Sequence, residues 1–378
     1  MPAATSPDEI PAGPPGMTTF FLMDGLPEAA MTYFYGHLFA AEPEIRGMFP
    51  AAMGIQHRRF YQALQSRDEG YLEALGRAHR KFGVRGEHFP AFRAALLATC
   101  RQLRLATPAQ DAVVATFDRA ARIMLAAARD AARQGPAWWA AEVTSHAMAA
   151  PGIAILTLRP EEPLPYLPGQ HVPVQTPRWP RLWRPYSVAW APRAGGNGAA
   201  GELALHVRTV PGGLVSTALA RHTRPGDILL LGAAEGAMTT DPSSRRDVLC
   251  LAGGTGLAPL LAITEALAVQ ASQAAGPAGR REIVVYHGAR TTHGLYGLPI
   301  LRALAARYPF VKAVPATSVD QVPHAMHGTI PELAVRAWWQ DRDIYISGPD
   351  AMITATVRAL LDAGAPPALL HYDQPATP

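Results

Sequence analysis

The spacing of apolar residues changes near residue 140, and this change limits the folds open to the chain. From Met17 to Gln134 apolar residues recur every three or four positions, which is typical of helices that bury one face. Beyond residue 140 short β-rich runs are bounded by Pro-Gly and Gly-Gly turns. From residue 247 strand-like runs alternate with Ala/Leu-rich helices, as in a parallel sheet. One uniform architecture cannot accommodate all three patterns.

We therefore predict a multidomain protein that combines α and β structure. A length of 378 residues allows two or three domains, each with its own core. Residues 1–16 are predicted to form a disordered arm rich in Pro and Ala. The predicted domains are all-α over 17–134, an antiparallel β-barrel over 140–240 and an α/β domain with a parallel sheet over 245–378.

Charge and cysteine content exclude several classes of protein. Lys and Arg number 34 against 30 Asp and Glu, with no basic run longer than three residues, so we expect no nucleic-acid partner. The longest uncharged run, Val248–Thr264, contains GGTG and Pro259, which argues against a membrane span. Two cysteines and an N-terminus unlike a signal peptide predict a cytoplasmic protein without a disulfide framework. We expect it to be a monomer or a weak dimer.

Two motifs of the α/β segment suggest nucleotide binding. GGTGLAP (253–259) follows an apolar strand and opens a helix, where glycines let the backbone approach a pyrophosphate and free N–H groups favour its charge. The spacing differs from GxGxxG, so a tight turn without a ligand remains the alternative. YISGPDAM (345–352) ends another strand with a Gly-Pro turn, where an α/β domain presents its ligand crevice.

The β-barrel segment carries two further motifs. RPYS (184–187) offers an Arg that could pair with a phosphate, a Tyr ring that could lie against a flat ring system, and a hydroxyl. GGLVS (212–216) leads into a helix for which we predict Ser216 as the N-cap, a second place suited to an anion.

In this order the four motifs resemble those of ferredoxin-reductase-like flavoproteins, over residues 140–378. The resemblance implies FAD on the barrel and NADH or NADPH on the α/β domain. The motifs depart from the family at Ser347, where a Cys is usual, and at Pro375, where an aromatic residue shields the flavin. Arg290 could meet the 2′-phosphate of NADPH or only the adenosine, so the choice of nucleotide stays open. The implied FAD-binding residues are Arg184, Tyr186, Ser187, Gly213, Val215 and Ser216; those for the pyridine nucleotide are Gly254, Thr255, Gly256, Pro259, Gly348 and Pro349.

A single histidine stands out in the helical segment. His79, in LGRAHRKFGV (75–84), lies on an apolar helical stripe with Leu72, Leu75 and Phe82. The residues alone allow a core histidine that bonds the backbone, or a metal ligand. The other candidate, the HxxH pair of His324 and His327, lacks a third ligand, so we expect no zinc there.

Three stretches of this segment look like the globin domain of flavohaemoglobins: YFYGHLFAAEPEIRGMFP (33–50), IQHRRF (55–60) and LGRAHRKFGVRGEHFP (75–90). This resemblance covers residues 17–134 and, with the reductase, nearly the whole chain. It implies haem b with His79 as the proximal iron ligand. On the distal side it implies Tyr35 and Gln56 as hydrogen-bond donors, Phe49 as the residue that wedges the haem, and Phe60 as the ceiling.

The proximal side departs from the family. Flavohaemoglobins usually carry a Tyr ten residues after the proximal His and a Glu in the last helix, which together make the imidazole more anionic. Here the first position is Phe89, and residues 107–134 contain no Glu; Asp130 and Gln134 are the nearest polar residues. We therefore predict a weaker push of electron density onto the iron.

The combined resemblance implies an NAD(P)H-dependent nitric oxide dioxygenase. Electrons would pass from NAD(P)H to FAD to haem, where oxygen and nitric oxide give nitrate. The alternative is a haem or flavin reductase whose globin serves as an oxygen or redox sensor or relay.

Overall fold

The computed structural model describes residues 28–49, 53–192, 201–273 and 281–373. The chain divides into two compact units, Met1–Ala137 and Trp138–Pro378. The predicted N-terminal arm and Pro375 lie outside the described residues.

The first unit is helical in its described part, as the sequence predicts. Its core gathers around the last and longest helix, whose apolar face carries Val113, Phe117 and Ala121. The helices are α1 (Glu28–Ala41), α2 (Pro43–Arg46), α3 (Gly54–Gln65), α4 (Glu69–His79), α5 (Phe89–Gln102) and α6 (Thr107–Gln134), with single 3₁₀ turns at Arg80–Phe82 and Gly86–His88.

Helix α4 carries His79 as its last residue, and local sequence explains its start and its close packing on α6. Asp68 caps its start, where the carboxylate accepts a hydrogen bond from the Tyr71 backbone N–H at 3.2 Å. A glycine midway along the helix permits close packing on α6, because a Cβ at Gly76 would lie only 2.2 Å from the Met124 carbonyl oxygen. This contact fixes α4 against α6.

The second unit begins with a six-stranded antiparallel sheet in the order β4-β3-β6-β1-β2-β5. A bridge between Val188 and Leu205 joins the two outer strands and closes the sheet into a barrel. Its interior is filled by apolar side chains such as Val143, Leu156 and Leu231. The strands are β1 (Trp139–Ala150), β2 (Ile153–Pro160), β3 (His171–Gln175), β4 (Arg184–Ser187), β5 (Leu203–Arg208) and β6 (Ile228–Leu231), with helix α7 (Leu214–Arg221) after β5.

The same unit continues with a six-stranded parallel sheet in the order β10-β9-β8-β7-β11-β12. Chain order reverses between β7 and β11, so their carboxyl ends form the switch point at which such sheets bind ligands. The elements are β7 (Val248–Gly253), α8 (Leu257–Gln273), β8 (Ile283–Ala289), α9 (Leu298–Arg307), β9 (Val311–Thr317), β10 (Met326–His327), α10 (Ile330–Arg336), β11 (Asp343–Ser347), α11 (Asp350–Asp362) and β12 (Leu370–His371).

One helical stretch of the described residues, Gly254–Gln273, is apolar and long enough to cross a membrane. However, 67% of the most apolar part of this stretch is buried inside the protein. Leu260, Ile263 and Leu267 pack into the core of the parallel sheet. The stretch is therefore accounted for as the core helix of this domain.

A buried ion pair holds the opposite end of the parallel sheet. The Asp343 carboxylate, which is 3% exposed, accepts hydrogen bonds from Arg281 Nη2 at 2.7 Å and from Ser244 Oγ at 2.5 Å. Burial alone would raise the pKa of Asp343, but the His371 imidazole 4.0 Å away, the hydrogen bond from Ser244 and the charge of Arg281 outweigh it and lower the pKa. The pair thus joins β11 to the segments that precede β7 and β8.

We expect Asp343→Ala to lower the free energy of unfolding by about 3–5 kcal/mol, because it leaves the Arg281 guanidinium buried without its partner. Urea unfolding of the variant measures this effect. The matched control is Asp362→Ala, which breaks an exposed pair with Arg358 at 3.8 Å and should change stability by less than about 1 kcal/mol. Since the folded pKa of Asp343 is depressed, its contribution is present above the unfolded pKa and is lost as the pH falls through the folded pKa. Equal effects of the two variants would contradict this expectation.

Candidate functional site

The two predicted nucleotide-binding turns lie side by side at the switch point. The GGTG turn follows β7 and the Ser-Gly-Pro turn follows β11, its parallel neighbour. A Cβ on Gly256 would lie 2.3 Å from the Ser347 carbonyl oxygen and 2.4 Å from the Gly348 nitrogen. Only glycine allows this approach of two backbones. The structure thus brings Gly254, Thr255, Gly256, Gly348 and Pro349 to one place, with Pro259 buried in the first turn of α8.

A cavity of about 850 Å³ opens at these turns. Its lining includes Gly254, Pro349 and Arg290, and also Arg208 from the end of β5, which the sequence did not single out. Arg208 Nη1 lies 3.4 Å from the position that a Cβ on Gly254 would occupy. Neither arginine forms a salt bridge within the described residues, so both charges are available to an anionic ligand. Thr255, Gly256, Pro259 and Gly348 support the turns without lining the cavity.

The predicted FAD-binding motifs also come together. The Val188–Leu205 bridge sets the end of β4 beside β5, and the chain after β5 leads through Gly213 into α7. Burial raises the pKa of Tyr186 to about 12, although the charge of Arg184 lowers it in part, so the phenol stays neutral near neutral pH.

The Arg184 side chain is exposed and donates a hydrogen bond to the Trp183 carbonyl at 2.9 Å. Ser187 is half-buried and Val215 is buried. Arg184 supplies a cation, Tyr186 a neutral phenol and Gly213 the start of a helix. These three groups suit the phosphates and the ring system of a flavin nucleotide.

The prediction that Ser216 caps α7 is wrong. The extended backbone of Gly213 takes the cap position, and Ser216 is the third residue of the helix. Its Oγ accepts from the Val210 N–H at 3.2 Å and donates to the Gly213 carbonyl at 3.3 Å. The hydroxyl therefore stabilises the glycine loop that precedes the helix.

His79 is oriented by its own helix. Nδ1 donates a hydrogen bond to the Leu75 carbonyl at 2.7 Å, which leaves Nε2 as the nitrogen suited to bind a metal. Burial lowers the pKa of His79, the Leu75 hydrogen bond offsets this in part, and the imidazole is neutral near neutral pH. A neutral imidazole with a fixed tautomer is the form that binds iron.

The residues at the two proximal positions that depart from the flavohaemoglobin pattern, Phe89 and Asp130, have other partners. Phe89 packs against Phe117, with ring centroids 6.2 Å apart. Asp130 forms a salt bridge with Arg133 at 3.1 Å, and both side chains are more than half exposed. The Nδ1 partner shown by the structure is thus a neutral carbonyl.

The predicted distal residues cluster around Tyr35, which is 5% exposed. The edge of its ring meets Phe49 at 5.5 Å, and its face stacks on His57 at 5.1 Å with an interplanar angle of 14°. Phe60 lies 6.3 Å from Tyr35. Gln56 is half-buried, and within residues 28–49 and 53–137 no hydrogen bond joins it to Tyr35. His57 is a residue that the sequence did not reveal.

Three other histidines, His324, His327 and His371, belong to neither the haem nor the nucleotide residues named above. Within the described residues no group of three metal-binding side chains forms, and this includes the pair His324 and His327. His371 stacks on Tyr345 at 4.6 Å and faces Asp343, which is a packing role.

Two family models match the second unit: the oxidoreductase FAD-binding domain over residues 141–239 and the oxidoreductase NAD-binding domain over residues 250–358. Fold and site therefore define an FAD- and NAD-binding oxidoreductase with a helical globin region in front, and NAD(P)H as its substrate. Within this class the similarity to flavohaemoglobins extends over nearly the whole chain, and the resemblance predicted from the sequence is confirmed.

The chain is 28% identical over 390 residues to the flavohemoprotein of Bordetella pertussis, which covers 92% of this chain and 93% of that protein. A solved flavohemoglobin from Malassezia yamatoensis, described with bound FAD and heme, has a TM-score of 0.73 at 18% identity and covers 95% of this chain and 97% of its own. A third similar structure is the flavohem-like FAD/NAD-binding domain of nitric oxide dioxygenase from Vibrio cholerae O1 biovar El Tor. It has a TM-score of 0.54 at 20% identity, and the match covers 63% of this chain and 99% of that domain.

Proposed function

We propose that this oxidoreductase is an NAD(P)H-dependent nitric oxide dioxygenase that binds haem b through His79 and acts in the cytoplasm. The observation that carries the proposal is the His79–Leu75 hydrogen bond, because it presents a neutral Nε2 at the position implied for the proximal ligand. The similar flavohemoprotein and the nitric oxide dioxygenase domain support it. The free, buried Cys100 and Cys250 are compatible with the cytoplasm.

The residues present fit a haem. When bound, haem b would supply the iron at which oxygen and nitric oxide react, and FAD would divide the hydride of NAD(P)H into single electrons. His79 Nε2 would hold the iron, and the Leu75 carbonyl keeps the imidazole ring oriented. Burial raises the pKa of Tyr35, so its hydroxyl keeps its proton and is suited to donate a hydrogen bond to a ligand that gains negative charge.

The reductase residues would hold the two nucleotides. Tyr186 would lie against the flavin ring, and Arg184 would pair with a phosphate of FAD. The GGTG turn and Arg208 would bind the pyrophosphate of NAD(P)H, since both meet at the cavity of the switch point. Arg290 lines the same cavity and would contact the adenosine half of the dinucleotide.

Nitrate formation tests this function. Full-length protein loaded with haem and FAD is mixed with NADH, oxygen and nitric oxide, and nitrate is measured against a control without protein. We expect nitrate to form at a rate proportional to protein concentration, with NADH consumed at one per two nitrates. Protein that oxidises NADH but gives no nitrate beyond the control would refute the proposal.

A reductase with a sensor or relay globin is the second candidate. It is favoured by Phe89, which lies in an apolar cluster with Leu72 and Met124 at the position where flavohaemoglobins usually carry a Tyr. Stopped-flow reduction of the haem by NADH separates the two candidates. If electrons reach the haem more slowly than NADH is oxidised during steady-state turnover, the sensor or relay function is favoured.

We expect the iron–histidine stretch of the ferrous protein, measured by resonance Raman, to lie in the range of oxygen-binding globins. The reason is that a neutral carbonyl partner gives the imidazole less anionic character than a carboxylate does. Phe89→Tyr, which restores the hydroxyl usual in the family, is the matched comparison and should raise the frequency. A stretch as high as in peroxidases in the unaltered protein would contradict this expectation.

A further inference from the structure

His287, on β8, has an unusual environment for a histidine. The residue is 0% exposed, and neither ring nitrogen has a hydrogen-bond partner in the described part of the chain. Buried polar side chains are satisfied in the great majority of cases, since an unpaired buried group loses its bonds to water without compensation. Burial lowers the pKa of His287 to about 4, so the ring is neutral near neutral pH.

Two other buried polar residues share its surroundings. The ring of Tyr296 meets His287 edge-on at 5.5 Å, and its hydroxyl forms a hydrogen bond of 2.8 Å with Nδ1 of His206 on β5. Burial, and to a lesser extent His287, lowers the pKa of His206 to about 4 as well. We call these three residues, His206, Tyr296 and His287, the buried triad. Their side chains are neutral, and they link a barrel strand to the α/β domain.

The buried triad lies directly beside the nucleotide-binding turn. In the β7–β8 pairing His287 stands opposite Ala252, and the following pair, Gly288 and Gly253, leads into the GGTG turn. The Gly254 backbone is the group that partly offsets the lowered pKa of His287, which places it next to the ring. The two do not form a hydrogen bond of standard geometry.

Packing alone does not explain a histidine at this position. A leucine would fill similar space beside Leu257 and Gly297 without burying unpaired nitrogens, since a Cβ built on Gly297 would lie 2.1 Å from the Leu257 side chain and 3.6 Å from His287 Cε1. The unpaired ring nitrogens therefore lower the stability of the nucleotide-free protein, and the Gly254 backbone beside the ring belongs to the turn that binds the dinucleotide. That combination indicates a role in the bound state.

We propose that His287 is a positioning residue for the pyridine nucleotide. When NADH or NADPH occupies the GGTG turn, the His287 ring donates a hydrogen bond to the Gly254 carbonyl and holds the turn in the conformation that presents its N–H groups to the pyrophosphate. Tyr296 and His206 keep the ring oriented from the barrel side. The proposal rests on the NAD-binding domain and is independent of the chemistry at the haem.

The test is His287→Leu in the full-length protein with FAD bound, assayed with NADH and ferricyanide, a reaction that needs the flavin and not the haem. We expect KM for NADH and Kd for NAD⁺ to rise about tenfold, as for loss of one hydrogen bond, with kcat changed by less than about twofold. The thermal midpoint without nucleotide should rise, because the unpaired nitrogens are gone. His287→Gln, which keeps an N–H donor, should recover most of the affinity.

The matched control is His371→Phe, which keeps the ring stacked on Tyr345 far along the same sheet and should leave KM unchanged. Unchanged affinity in His287→Leu overturns the proposal. So does a loss of affinity that accompanies a lower thermal midpoint and is not recovered by His287→Gln, because that result describes a structural role. Should His287→Leu not fold, Tyr296→Phe decides: KM for NADH a few-fold higher at constant kcat supports the proposal, and an unchanged KM overturns it.

Discussion

A His79→Ala variant should be purified with FAD but without haem. The imidazole supplies the bond to iron, and an alanine methyl offers no donor atom in its place. Haem content by the pyridine haemochrome assay should fall by at least about tenfold, while NADH–ferricyanide activity stays near that of the unaltered protein, since the second unit carries the flavin and nucleotide motifs. Added imidazole should restore part of the haem binding by filling the space that the side chain leaves.

His88→Ala is the matched control for this variant. His88 lies nine residues on, in the turn before α5, where its Nδ1 accepts a hydrogen bond from the Arg85 backbone N–H at 3.0 Å. Its removal should leave haem content unchanged. A His79→Ala protein that retained a full complement of haem with an unaltered spectrum would show that another residue binds the iron.

Gly256→Ala should weaken NAD(P)H binding by about ten- to a hundredfold while FAD stays bound. The added Cβ would lie 2.3 Å from the Ser347 carbonyl oxygen and 2.4 Å from the Gly348 nitrogen. Because both are backbone atoms, no side-chain rotation relieves the clash, and the turns after β7 and β11 must separate. Such overpacking costs about 1–3 kcal/mol, which corresponds to the expected loss of affinity.

KM for NADH in the ferricyanide assay measures this effect, and flavin content of the purified protein shows whether the barrel is intact. Gly36→Ala is the control, because nothing lies within 4 Å of a Cβ built on that glycine in α1. An unchanged KM in Gly256→Ala would mean that the nucleotide does not use this switch point.

The architecture and the nucleotide site were largely accessible from the sequence, because periodicity and turn chemistry are local. The strand before GGTG and the strand before Ser-Gly-Pro were both recognisable, and parallel strands present their carboxyl ends at one edge of a sheet. What could not be predicted is that β7 and β11 are immediate neighbours. That adjacency follows from the order of the strands, which no local pattern specifies.

Residues that depend on packing between distant segments were missed. Arg208 ends a barrel strand and lines the nucleotide cavity only because the barrel edge meets the α/β domain there. His57 follows Gln56 directly, and only the packing of α3 on α1 shows that its ring stacks on Tyr35. Ser216 was misplaced as a cap since Gly213 starts the helix one turn earlier. His287 lies in an ordinary strand sequence, and its unpaired nitrogens appear only in the folded chain.

Anaerobic addition of NADH to the purified full-length protein, followed by absorption spectroscopy, tests the central claim most directly. We expect a Soret band and flavin absorption in the oxidised protein, and reduction of both cofactors by NADH alone within one polypeptide. Protein that shows flavin absorption bleached by NADH, but no Soret band after reconstitution with haemin, would contradict the account.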